Sequence, residues 1–275
     1  MKRRFFLETL AAASAAPFLS AEPASGEGVS RYDVLWDSPS ADSLGSMPLG
    51  NGETGLNVWV ERGGDLMFYI GRSDAFSEDH SNIKLGRVRV QLSPNPFAAG
   101  LPFRQKLELD NACIRIDAGR DGEEVQLTIW VDANQPVARI EGRSAIPRTV
   151  SISYEMWRPL KVAGSPGESV SGGGDVLVDD HADRLLWYHR NESSVWSQRL
   201  SDEGLDRLVA GKVADPLLHN TFGGMIRGSG FQRTGPAGLS VAAPANRFDL
   251  AVHFHAGQYP DAQRWASALE TRSSG

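Results

Sequence analysis

Apolar side chains recur at every second position through most of the chain, in short runs broken by Gly, Asn, Asp, Ser and Pro. That period puts one side of each run in a core and the other in solvent, so it predicts antiparallel strands with one dry and one wet face. Strands are expected at Gly55–Glu61 and Asp65–Ile70, joined through Arg62-Gly63-Gly64 as a hairpin, because glycine permits the primed turn. In 85–92, Leu85, Val88, Val90 and Leu92 alternate with Arg87, Arg89 and Gln91. The run 103–110 pairs with 112–117 through Asp110-Asn111, and 125–131 alternates Val125, Leu127, Ile129 and Val131 with Gln126 and Thr128. Further strands are expected at 137–140, 150–156, 185–190, 223–227, 239–243 and 248–255.

Helical spacing is rare. A short insert is predicted over 203–210. In 260–272, Ala262, Trp265, Ala266 and Leu269 fall on one stripe that needs an apolar partner. The Gly/Ser/Pro-rich segment 164–174 has no period and reads as an exposed loop. About a dozen strands with few helical pieces make the fold all-β, an antiparallel two-sheet sandwich with short helical insertions and a C-terminal helix.

Running straight into the first of these strands is Met47-Pro48-Leu49-Gly50-Asn51-Gly52-Glu53-Thr54-Gly55, a polar turn in which glycines flank Asn51. Such a turn either enters a sheet tightly or presents backbone to a ligand. Together with Trp36-Asp37-Ser38-Pro39 it resembles the opening of glycoside hydrolase family 95, the α-L-fucosidase group. The text from Val34 to Phe254 is more similar to a bacterial domain-of-unknown-function family numbered 5703, described as the N-terminal domain of fucosidase-like proteins. The resemblance runs through Asp65-Leu66-Met67-Phe68-Tyr69-Ile70, Ser93-Pro94-Asn95-Pro96-Phe97, Trp130-Val131-Asp132-Ala133-Asn134 and Trp187-Tyr188-His189-Arg190-Asn191-Glu192. It implies a large two-sheet super-sandwich over residues 30–257. It also implies that 258–275 is a helical linker towards an (α/α)6 barrel that carries the catalytic carboxylates, and that the chain is cut short before that barrel. No catalytic residue is therefore assigned to this chain, which is expected to be the inactive N-terminal domain of a fucosidase-like hydrolase or, alternatively, a stand-alone carbohydrate-binding or scaffold module.

Residues 1–24 carry Lys2-Arg3-Arg4-Phe5-Phe6-Leu7 and then a mild, alanine-rich apolar run, the layout of a twin-arginine export signal. The expected location is periplasmic or extracellular. The single cysteine, Cys113, allows no intramolecular disulfide. A net charge of −6 without a run of like charge points away from nucleic acid and membrane partners. The resemblance implies carbohydrate as the partner, with a separately encoded catalytic helical domain as the other.

Glycoside cleavage needs two carboxyl groups across the scissile bond, and 34 acidic residues give no unique pair. Candidate sugar-binding residues are Asn51, then Asp74, Glu78 and His80 in the dense polar loop 74–82, and Trp187, His189 and Asn191 on one face of an extended run. A solvated loop and a surface strand end are the structural alternatives. Trp157 is a weaker second aromatic wall. His253 and His255 share a strand face, but a metal needs further ligands, so neither metal nor cofactor is expected. Gly223-Gly224 lacks the lysine of a phosphate loop, and Cys113 has no activating neighbours in sequence.

Overall fold

The computed structural model describes residues 28–156, 158, 173–209 and 211–273. The expected export signal, Trp157 and residues 164–172 of the loop lie outside them. In chain order, β1 (Val34–Trp36) is followed by a meander of β2 (Met47–Gly50), β3 (Thr54–Val60), β4 (Leu66–Phe76) and β5 (Asn82–Ser93). A second meander, β6 (Phe103–Glu108), β7 (Cys113–Ala118) and β8 (Val125–Val131), leads into the long β9 (Val137–Glu155). Then come β10 (Val176–Val178), β11 (Arg184–Arg190), and the helical turns α1 (Trp196–Asp202) and α2 (Asp206–Val209). The chain continues through β12 (Asn220–Arg227), β13 (Phe231–Gly235), β14 (Gly238–Val241), β15 (Ala245–Gln258) and α3 (Ala262–Ser273).

The strands form two antiparallel layers that share β9. One runs β1-β6-β7-β8-β9-β15-β12-β11-β10 and the other β2-β3-β4-β5-β9-β14-β13. Residues 137–144 of β9 pair with β8 and β15, whereas residues 149–155 pair with β5 and residues 151–153 with β14. Hydrophobic periodicity predicts two strands here, 137–140 and 150–156; they are one element. The pattern lapses at Arg143-Ser144-Ala145 because the strand is crossing from layer to layer there. Arg148, buried at this corner, fixes the crossing by donating to the Pro94 and Glu123 carbonyls and, from Nε, to Ser144 Oγ at 2.8 Å.

The core lies between the layers. Leu56, Val58, Phe68, Ile70, Val88 and Val90 face Ile114, Ile116, Leu127, Ile129, Ile140 and Val252, all almost fully buried. Each such side chain contributes about 1.5–3 kcal/mol of transfer free energy. Tyr154 and Trp187 join the two layers, stacked at 4.3 Å, and both donate to the Leu85 carbonyl, at 2.7 and 3.0 Å. Gly86 has φ +140, and a Cβ there would meet the Tyr154 ring at 2.4 Å, so only glycine lets the strand pass beneath it. Gly224, opposite Trp187, similarly makes room for the indole.

Three further expectations are corrected. Met47–Gly50 is a strand, not part of the turn: Met47 and Leu49 point inward, and Pro48 is tolerated because β2 is an edge strand paired only with β3. The turn itself is confined to residues 51–53. The helical insert begins earlier than 203–210 and is split into α1 and α2 at Gly204, whose φ is +66. The stripe on the C-terminal helix finds its partner within the chain, since Trp265 and Leu269 pack on Leu186 and Met225 on the outer side of the first layer, beside Tyr188 and Tyr259. Among the described residues no helix is long and apolar enough to cross a membrane.

Candidate functional site

At one end of the sandwich, the loop between β4 and β5 folds over the ends of β11 and β12, and the sequence-selected residues meet there in part. Asn191 holds the loop down: its Nδ2 donates to the Phe76 and Leu217 carbonyls, both at 2.9 Å. Asn220 Nδ2 donates to the Asp74 carbonyl at 3.2 Å, and Val195 N donates to the Glu78 carbonyl at 2.9 Å. Backbone groups that a loop would otherwise leave unpaired are satisfied in this way.

The loop thereby carries Glu78 into the interior. Glu78 is 3% exposed, His189 2% and Asp175 3%. His189 Nε2 lies 3.2 and 3.3 Å from the two Glu78 carboxylate oxygens, and Nδ1 lies 3.4 Å from Asp175 Oδ1. Arg158 completes the cluster, with Nε and Nη2 donating to Asp175 Oδ1 at 3.1 and 2.5 Å. The His189 ring also sits 5.1 Å from the Phe222 ring. Burial pushes the imidazole towards its neutral form, but hydrogen bonding to Asp175 and Glu78 outweighs it and holds the pKa above the ordinary value. The result is a chain of alternating charge, Arg158, Asp175, His189 and Glu78, in a nearly dry environment. His189 Nδ1, Asp175 Oδ2, Arg158 Nη1 and Asn191 Oδ1 nonetheless lack well-aligned hydrogen-bond partners among the described residues.

The other selected residues lie elsewhere. Asp74 takes a bidentate pair from Arg72, Nε to Oδ1 and Nη2 to Oδ2, both at 2.8 Å; the same guanidinium reaches Glu53 at 2.5 Å. Arg72 is 4% exposed, and although burial disfavours its charge, Asp74 and Glu53 raise its pKa further. His80 is exposed at φ 67 and stacks on Phe76 at 5.4 Å. Asp79 is held below the usual carboxylate range, first by the Ser77 hydroxyl, which suits an anion rather than a proton donor. Asn51 is engaged by its own turn: Oδ1 accepts from Glu53 N and Thr54 N, and Nδ2 donates to the Asp132 carbonyl at 2.8 Å. Trp187 is 1% exposed, in the core stack already described.

Asp175 and Arg158 were not selectable from sequence, because they lie on either side of the Gly/Ser/Pro-rich segment 164–174 and only the fold brings them to His189. His253 and His255 do share a face, under α3. Burial, with Arg227 and Arg139 near one and Arg272 near the other, pushes both down to about 4, so they are neutral imidazoles at pH 7. His255 Nε2 is 2.5 Å from the Tyr259 hydroxyl and its ring stacks on Trp265. Among the described residues, Asp180, His181 and Glu270 converge with metal-like spacing, but Arg184 Nη2 lies 2.5 Å from both carboxylates and supplies the positive charge there. Cys113 is buried, which raises its thiol pKa, the opposite of activation.

Fold and cluster together define an all-β sandwich domain whose most concentrated polar chemistry is enclosed and structural. Residues 35–274 match the N-terminal part of the family described as Domain of unknown function (DUF5703), and the chain belongs to that family. A comparison with curated proteins gives no match. Among solved structures, "Putative kojibiose phosphorylase from human microbiome" is similar at 10% identity and a TM-score of 0.41, over 88% of this chain and 32% of that one. The chain thus spans about a third of that protein's length, and a likeness of this size carries no inference about substrate.

Proposed function

We propose that this chain is the N-terminal β-sandwich framework of an exported, fucosidase-like glycoside hydrolase, inactive without a catalytic helical barrel. On this reading residues 30–257 are the framework, 258–275 lead towards the barrel, and 1–24 direct export to the periplasm or beyond. The observation that carries it is the fate of the carboxylates in loop 74–82. Glu78 is enclosed against His189, Asp74 is clamped by Arg72, and Asp79 is stabilised as an anion. None of the three faces another across an open cleft as an acid and a base or nucleophile would.

The test is hydrolysis of aryl α-L-fucoside, β-galactoside and β-xyloside by the purified chain, alone and with the polypeptide encoded after Gly275. No turnover alone and turnover on complementation is the expected result. Turnover by the chain alone that is lost in Asp74→Ala or Asp79→Ala would replace this reading with that of a small complete hydrolase.

A further inference from the structure

A second polar feature lies on the opposite side of the first layer, and it differs from the enclosed cluster in being open. Strand register places Arg104, Asp117, Gln126, Arg143 and Arg247 directly opposite one another across β6, β7, β8, β9 and β15. Side chains in cross-strand register share a face, and this is the solvent face, since the neighbouring Gln105, Ile116, Leu127, Gly142 and Phe248 point inward. The row borders a groove of about 760 Å³ that is also lined by Pro102, Glu124, Ser144 and Asn246. That volume is within the range of small-molecule sites.

The electrostatics of the row are unusual for a sheet. Arg104, Arg143 and Arg247 are exposed, and none has an ion-pair partner among the described residues. Arg143 and Arg247 are a directly opposed pair of like charges, an arrangement that destabilises a ladder. Two arginines whose backbones are about 5 Å apart can bring their guanidiniums to one carboxylate, and the Arg104 backbone, three strands away, stands roughly 14 Å from that of Arg143 at the usual inter-strand spacing. Between them, Gln126 donates to Asp117 Oδ1 at 2.9 Å, which leaves amide and carboxylate oxygens to accept from hydroxyl groups.

We propose that this row is a binding groove for an acidic oligosaccharide: Arg143 and Arg247 take one sugar carboxylate, Arg104 takes a second further along the chain, and Asp117, Glu124 and Gln126 meet the hydroxyls between. The proposal rests on the carbohydrate reading above and adds the substrate class. A polyphosphate ligand is disfavoured because Asp117 and Glu124 stand in its path, as do Glu141 and Asp249 in the next groove along.

The experiment is isothermal titration of the full chain with trigalacturonate, with maltotriose as a neutral trisaccharide and inorganic phosphate as a bare anion, at low and physiological salt. Trigalacturonate is expected to bind at least tenfold more tightly than either control and to weaken as salt rises. Arg143→Ala with Arg247→Ala should weaken it at least tenfold. Arg143→Glu, which turns the like-charge pair into an ion pair, should abolish binding while leaving the melting temperature unchanged or higher. Equal binding of maltotriose, equal binding of phosphate, or trigalacturonate binding indifferent to these substitutions would each overturn the proposal. So would the absence of any heat with trigalacturonate, an outcome that leaves the framework reading to its own activity test.

Discussion

The arginines at the two sides of the sandwich are used in opposite ways. Arg72, Arg148 and Arg158 are enclosed or nearly so, and each is spent on carboxylates or carbonyls that the fold itself supplies. Arg104, Arg143 and Arg247 stand in water on a regular sheet, without partners and, for one pair, in mutual opposition. An enclosed charge without a partner costs several kcal/mol, so the first group is dictated by folding. An exposed arginine needs no partner to fold, and the Arg143–Arg247 opposition is a modest cost, so the second group is not dictated by folding and is free to be chosen for what it meets from outside. The dense polar loop therefore draws the eye in sequence, while the open row is where a ligand has access.

The largest test of this contrast is Asp175→Ala, which strips both Arg158 and His189 of their shared carboxylate. It should lower unfolding free energy by about 3 kcal/mol or more in urea denaturation. A loss below about 1 kcal/mol would mean that the cluster is hydrated rather than enclosed. Next comes a matched pair: Arg72→Met, which leaves Glu53 and Asp74 half exposed, should cost about 1–2 kcal/mol, while Arg104→Met should stay within about 0.5 kcal/mol. Equal losses would erase the distinction between the two sides.

The smallest effects are in pH dependence, and their signs differ. His189 has a folded pKa above its ordinary value, so its stabilisation is complete below about pH 6.5 and is lost as pH rises through the folded value. His253 and His255, at about 4, have depressed values, so the stability they allow is present above about pH 6.5 and lost as pH falls towards 4. Thermal melts across pH 4–9 should show His189→Gln flattening the alkaline limb and His253→Asn with His255→Asn flattening the acid limb. A reversed assignment would place the charge in the wrong cluster.

Most of the sheet was legible in the sequence because its strands are half-wet: the alternation in 125–131 and 85–92 matches β8 and the regular part of β5 closely. What was hidden follows from places where one face is not simply wet. β2 carries a proline at an edge, β9 turns a corner through polar residues, β1 and β10 are too short to show a period, and β13 has a single apolar residue, Phe231. The loop 74–82 and the strand 187–191 were legible as chemistry. Whether their side chains point into solvent or into the core was not, since a His-Glu pair reads identically in either place; it is Asp175 and Arg158, distant in sequence, that make Glu78 and His189 an interior clasp. The row of arginines escaped notice for a related reason, because its members are spread over residues 104–247 and meet only through register.

The Glu78–His189–Asp175 cluster fastens the fold and does not handle substrate. Its most direct test is the titration of the His189 imidazole by NMR, with and without saturating oligosaccharide. The ring is expected to remain protonated above the usual histidine range, with resonances that do not move on addition of sugar. A ring that titrates at or below about 6.5, or that shifts when sugar binds, would contradict it.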